Sequence, residues 1–400
     1  MAAAAESNIP FGPGKNNLWT KIIEHNKNLA KQPGGDAVRP DAILYFVGSR
    51  QGGKSTLLNR FLYPDKTDTP KATEGLEYTY ARKSVSTNIE RKDIAHIWEI
   101  AGTEKLSNEI SACENIFLGM RQVATAVVVI VVDLSNPASV LPTLEYWLDK
   151  VKAKTGATYE KLERRGSKLP EQLKLRAKKV FGSSHEDANS VVHTGISLVV
   201  AATKYDTFKD GDAEVRKIMS RTLRYFAHTH GAGLVYMGGL QNDKGQNPKD
   251  LQEYRAQLNN FRALLNHLVF TGPDRKITGK VPVETDHMKQ ICIPSGTDKL
   301  KDVGRPRGGG DNAEGAHAEW KAVFEKLYPP VPKASDTDWS FDTEQYAEAV
   351  VDSVIQQKNA ELAAYKKQQA AQSAQSRAAR AGGATAAPRG ARTAAPPPKK

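Results

Sequence analysis

The segment Gly48-Ser49-Arg50-Gln51-Gly52-Gly53-Lys54-Ser55 fits the pattern G-x-x-x-x-G-K-[ST], and nothing else in the chain constrains its fold as strongly. The glycines let backbone N–H groups turn inward around phosphate oxygens. The lysine supplies a cation for the outer phosphates, and the serine hydroxyl can ligate Mg²⁺. Such a loop belongs between a strand and the N-terminus of a helix. Its flanks agree: Ala42 to Val47 is a short apolar run, and Ser55 to Leu62 reads as a helix. Gly48, Gly53, Lys54, Ser55 and the adjoining Thr56 are therefore candidate nucleotide contacts, with Ser55 also a candidate Mg²⁺ ligand.

Further apolar, β-branched runs follow at Ile94 to Ile100, Ala126 to Val132, Ile196 to Ala201 and Leu234 to Met237. The middle two are almost continuously apolar, as strands buried on both faces tend to be. Helical stretches separate the runs, which predicts an α/β fold with a mostly parallel sheet. An arm, residues 1–40, precedes it and holds one helix-like stretch from Asn17 to Ala30. The charged stretch between Lys150 and Asn189, with helical patterns at Tyr159 to Arg165 and Pro170 to Val180, reads as an insertion. An amphipathic helix from Leu251 to Phe270 predicts that the nucleotide-binding domain, residues 41–272, ends near Gly272. Residues 273–340 read as an extension with a short helix around Trp320 to Leu327. Residues 341–369 read as an amphipathic helix capped by Asp342, and 370–400 as a disordered basic tail.

Two further segments complete the site. Thr203-Lys204-Tyr205-Asp206 directly follows a predicted strand and resembles the [NT]-K-x-D guanine signature of Ras-like G-domains. That resemblance gives Asp206 the guanine N–H edge and Lys204 the face of the base. Trp98-Glu99-Ile100-Ala101-Gly102-Thr103-Glu104 resembles the W-D-x-A-G-Q-E switch of the same superfamily with two changes. Glu99 stands where an aspartate would be linked to Mg²⁺, and its longer carboxylate implies a weakened, water-mediated contact. Thr103 stands where a glutamine would orient the attacking water, and its side chain is too short for that task, so hydrolysis is expected to be very slow or absent. Thr73-Glu74-Gly75-Leu76-Glu77-Tyr78 resembles the T-x-G-x-E-[FY] segment of Rab proteins, making Thr73 a further candidate at the metal; a plain edge strand accounts for the pattern equally well. The expected cofactor is GTP or GDP with Mg²⁺, in a site that can also serve empty.

Other classes fare worse. The formal charge is +12, but eight basic residues and no acid lie from Lys366 onward, and without them +4 remains, so the charge does not mark a nucleic-acid face. No apolar run approaches the roughly 20 residues of a membrane span, and the first residues lack a signal-peptide pattern. Cys113 and Cys292 are the only cysteines, which fits a reducing compartment. The histidines are scattered, and His228 with His230 reads as a helix-surface pair rather than a zinc site.

Together these segments resemble the dynein light intermediate chains, most closely the branch that serves cytoplasmic dynein 2. The resemblance is carried by Val47 to Thr56, Gly75 to Tyr80, Asp93 to Glu99, Val131 to Pro137, Lys204-Tyr205-Asp206 with Thr222-Leu223-Arg224, and Glu319-Trp320 to Pro330. It implies a non-catalytic subunit docked on the dynein heavy chain beside intermediate and light chains. It also implies work with intraflagellar transport particles in cytoplasm, cilium or flagellum and basal body, reaching microtubules only indirectly. Family members that recruit cargo adaptors carry an apolar helix in a long C-terminal tail. Here no Leu, Ile, Val, Phe or Trp follows Gln369, which favours the ciliary branch. A Ras/Rab-like regulatory GTPase is the alternative.

Overall fold

The computed structural model describes residues 20, 21, 24, 40–66, 68–85, 88–101, 110–111, 116–182, 185–240, 247–273, 281–306, 313–329 and 348–382. Nearly all of the N-terminal arm, Gly102 to Glu104, Cys113, Asp342 and the end of the basic tail lie outside these residues. The chain divides into two compact units, Met1–Val331 and Pro332–Lys400.

The first unit is a seven-stranded sheet in the order β2-β3-β1-β4-β5-β6-β7. β1 (Ala42–Gly48) leads through the glycine loop into α1 (Lys54–Leu62), and the hairpin β2 (Leu76–Val85) and β3 (Asn88–Ile100) follows. Next come β4 (Ala126–Asp133), α2 (Pro137–Arg164), α3 (Leu169–Phe181), β5 (Ser197–Thr203) and the single turn α4 (Tyr205–Phe208). α5 (Ala213–Thr229), β6 (Ala232–Tyr236) and α6 (Pro248–Asn266) continue the alternation, and α6 passes into a π-helical turn at His267–Thr271. β7 (Cys292–Ile293), α7 (Leu300–Val303) and α8 (Ala313–Leu327) complete the unit.

β3, β1, β4, β5 and β6 are mutually parallel, and the antiparallel β2 and β7 close the two edges. The central strands bury both faces. Tyr45, Val47, Val128, Ile130 and Val132 face α2, α5 and α8, whereas Leu44, Phe46, Val127, Val129 and Val131 face α1 and α6. This explains their nearly unbroken apolar runs. Chain order reverses at β1, whose neighbours are β3 and β4, and the glycine loop leaves the sheet at that switch point, where open α/β sheets bind ligands.

Three expectations need correction. Lys150 lies in the middle of α2, so the charged stretch does not start with an element of its own: Tyr159 to Arg164 is the far end of one long helix whose Val151, Thr155, Thr158 and Tyr159 are buried. Gly272 does not end the folded unit. Beyond it β7 extends the sheet, and Trp320 and Phe324 of α8 sit in the core at 2% and 1% exposure. Among the described residues the second unit holds α9 (Ala349–Gly382), which runs past Gln369 into the segment expected to be disordered. That continuation, rich in Ala, Gln and Arg, has high helix propensity. Its Val350, Val351, Val354, Ile355, Leu362 and Tyr365 are exposed.

Candidate nucleotide site

β1 ends on Gly48 at φ +129°, where a Cβ would lie 1.9 Å from the Val131 carbonyl oxygen of β4. Only glycine lets the two strands stay this close while the chain turns. Ser49 N–H then donates to that same carbonyl at 3.0 Å. Gly53, at φ +83°, caps α1 and starts the helix with Lys54. The Lys54 side chain is 5% exposed, and its ammonium donates to the carbonyls of Ser49 (2.8 Å) and Gly48 (3.3 Å). Burial pushes its pKa down to about 8, opposed by the nearby Glu99 carboxylate. The loop is tied to β5 by Thr203, whose hydroxyl donates to the Gly52 carbonyl at 2.5 Å and lies 3.1 Å from that of Val132.

Ser55, Thr73 and Glu99 meet beside the loop. The Ser55 hydroxyl donates to Glu99 Oε1 at 2.6 Å and lies 3.3 Å from Thr73 Oγ1. Glu99 is 1% exposed, and burial pushes its carboxyl above the usual carboxylate range against the Ser55 hydrogen bond and the Lys54 charge. Its Oε2 and the Ser49 hydroxyl are buried with no hydrogen-bond partner among the described residues. Such orphans are uncommon in folded proteins and point to a missing polar occupant. A nucleotide phosphate with its Mg²⁺ suits this donor set: Lys54 and the loop amides for phosphate, and Ser55, Thr73 and Glu99 for the cation. Thr56 follows on α1 and is buried.

The residues expected on the base side come together at the ends of β4, β5 and β6. Lys204 takes φ +57°, and its ammonium donates to Asp133 Oδ2 at 2.5 Å, which anchors the lysine head and fixes the course of its stem. Asp206 accepts from Gly239 N–H at 3.1 Å. Gly239 itself lies under the Tyr254 ring, where a Cβ would meet Cδ2 at 2.3 Å. Reading the sequence missed Asp133 and Gly239 as site residues. The signal for Asp133 is its register opposite Thr203, visible only once β4 and β5 are paired. Thr103 lies outside the described residues.

Two concavities, of about 480 and 610 Å³, open at the opposite end of the sheet beside Ser197 and beside Ala42 and Ala126. The phosphate chemistry is elsewhere: these cavities gather none of the loop residues, so size does not mark the site here.

The histidines differ from expectation. His228 is buried, not on a helix surface, and its Nε2 lies 3.0 Å from Asp187 Oδ2. His185 joins them, with Nε2 2.9 Å from the Asp298 carbonyl and Nδ1 accepting from Asp187 N–H at 3.2 Å. The three side chains are close enough to hold a metal ion, but hydrogen bonds to one another and to the backbone already occupy them. Burial holds His228 and His230 below the ordinary histidine pKa of 6.5. Between those depressed values and 6.5 the unfolded chain binds more protons than the folded one, so stability falls as pH falls through this window. Urea unfolding at pH 7.5 and 5.5 is expected to show a lower midpoint at pH 5.5, with the difference reduced in His228→Asn. An equal difference in that variant would remove His228 from the cause.

Residues 44–160 match the family model described as "Ras of Complex, Roc, domain of DAPkinase". The chain is 32% identical to the cytoplasmic dynein 2 light intermediate chain 1 of Bos taurus over 88% of this chain and 95% of that protein. To the Rattus norvegicus protein of the same name it is 34% identical, over 81% and 87%. A crystal structure of the conserved domain of a dynein light intermediate chain aligns with a TM-score of 0.48 at 14% identity, covering 74% of this chain and 99% of that one. Among the described residues no helix is long and apolar enough to cross a membrane.

Proposed function

Because the chain belongs to the family of cytoplasmic dynein 2 light intermediate chains, we propose that it is a non-catalytic subunit of that motor. In this reading it binds and stabilises the heavy-chain tail for minus-end-directed, retrograde intraflagellar transport. The observation that carries the reading is the extent of similarity, 95% of the Bos taurus relative's length, which takes in the region after the sheet as well as the nucleotide site. The partners are the dynein heavy, intermediate and light chains and intraflagellar transport particles, with microtubules reached through the heavy chain. The places of action are the cytoplasm, the basal body and the cilium or flagellum.

GTP or GDP with Mg²⁺ is the proposed ligand of the glycine loop. When bound it supplies a cluster of negative charge and a divalent cation at the centre of the sheet. Gly48, Gly53, Lys54, Ser55 and Thr56 hold the phosphates, Thr203 braces the loop, and Lys204 and Asp206 orient the base. Occupancy on this reading is structural. An intact loop with a buried lysine and a serine at the metal position favours a second reading, a regulatory GTPase that cycles.

Tagged wild type and Lys54→Ala, recovered from ciliated cells, separate the two. Heavy chain co-purifying with both proteins, while nucleotide released on denaturation is lost from the variant, supports the subunit reading. Heavy chain with neither, together with GTP exchange and hydrolysis by purified wild type, overturns it in favour of the GTPase.

A further inference from the structure

Glu99 closes the parallel ladder of the site: on β3 it stands level with Phe46 of β1 and Glu77 of β2, two residues before the Gly48 turn. It is among the most deeply buried ionisable groups in the described chain, yet only one of its carboxylate oxygens is engaged. A buried carboxylate with an idle oxygen is costly, and the neighbouring Lys54 ammonium is bonded to backbone carbonyls rather than to it. Among the described residues nothing donates to Oε2, and the Lys54 charge acts on the carboxylate without bonding to it.

The spacing of the surrounding oxygens identifies what fits. Mg²⁺ holds six oxygens octahedrally at about 2.0–2.1 Å, which sets neighbouring ligand atoms about 2.9 Å apart. Glu99 Oε1 lies 2.6 Å from Ser55 Oγ, and Thr73 Oγ1 lies 3.3 Å from the same atom. Both separations bracket the octahedral edge. An aspartate at position 99 would end one methylene short of Ser55 and would need a water to span the gap, whereas Glu99 already touches the serine hydroxyl that a phosphate-bound cation would use.

We propose that Glu99 is a direct carboxylate ligand of the divalent cation, sharing it with the hydroxyls of Ser55 and Thr73. The cation then keeps one water fewer than it would beside an aspartate. This rests on the reading of the loop as a Mg-nucleotide site. In the metal-free protein the same carboxylate accepts the Ser55 hydroxyl and keeps the ligand set assembled, so the cation has only to displace that hydrogen bond.

The test uses the full chain loaded with GDP and with Mn²⁺ as the probe. Electron–nuclear double resonance in ¹⁷O water is expected to count one metal-bound water fewer in wild type than in Glu99→Asp. Glu99→Gln is expected to hold Mn²⁺ about 10–100-fold more weakly, the range in which altered metal surroundings are felt. Should either variant fail to fold, wild type grown on ¹³C-labelled glutamate is sufficient: a directly bound carboxylate gives a manganese–carbon coupling, and a water-separated one does not. Bound GDP with equal water counts, or with no such coupling, overturns the direct ligand and leaves the nucleotide site standing. Failure to bind GDP at millimolar concentration overturns both.

Discussion

Replacing Asp298 by alanine is expected to lower the unfolding free energy by about 3–5 kcal/mol, a large share of what holds a domain together. Asp298 lies just beyond β7, and both its oxygens accept from the Arg224 guanidinium of α5, at 2.9 and 2.6 Å. The two side chains are 4% and 8% exposed. Removing the carboxylate strands a buried guanidinium, which cannot shed its proton to escape the cost. Oδ1 also accepts from Lys299 N–H at 2.9 Å, so one backbone donor is released as well. Arginine–carboxylate pairs of this kind are expensive to break singly and cheap to replace together. The double variant Arg224→Met with Asp298→Leu should therefore recover most of the loss. Urea unfolding of the three proteins decides it, and a single-variant change below about 1 kcal/mol would mean that water reaches the pair.

Trp320→Ala is expected to cost about 3–5 kcal/mol, the range for removing a large aromatic from a core. Trp320 packs with the Tyr225 ring of α5, centroids 6.2 Å apart. One turn earlier His317 lies edge-on to Phe226 at 4.6 Å, and Lys321 donates to Glu145 of α2 at 2.9 Å. α8 is thus a wall of the unit built on the seven-stranded sheet and no appendage to it. A chain truncated after Gly272 loses β7, Asp298 and α8 at once and should not give a stable monomer. A well-folded, monomeric truncation by circular dichroism and gel filtration would restore the shorter boundary.

That boundary shows what sequence patterning could and could not reveal. β1, β4 and β5 are legible because strands buried on both faces must be apolar throughout, and the glycine loop is legible because close backbone approach tolerates no side chain at Gly48. β7 is two residues long, within a stretch of proline, glycine and charge, too short for any period to appear. Its place is set by pairing with β6, and by a salt bridge to an arginine 74 positions earlier. The charge of the stretch after Lys150 sets it apart in sequence from the helix it belongs to, although Val151, Thr155, Thr158 and Tyr159 keep a buried stripe. His228 looked like a surface residue for a related reason: its partner, Asp187, is 41 positions away. At the site, Lys54, Ser55, Lys204 and Asp206 were local in sequence, whereas the direct touch of Glu99 on Ser55 spans 44 positions and needed the β1–β3 ladder to be seen.

The late closure of the sheet by β7 and α8 also has a bearing on synthesis. When β6 has left the ribosome, its outer edge and the face of α5 that α8 will cover are still bare, and so is the Arg224 guanidinium. Roughly 90 residues must follow before α8 is complete, about 5–20 s at ordinary elongation rates of about 5–20 residues per second. Until β7 and Asp298 emerge, roughly two-thirds of the way through that interval, the nascent chain presents an open parallel edge and an unpaired cation, the kind of surface that holding chaperones engage. A nucleotide captured early by the finished loop would add stability only to the half already made, and α8 would still decide when this unit is complete.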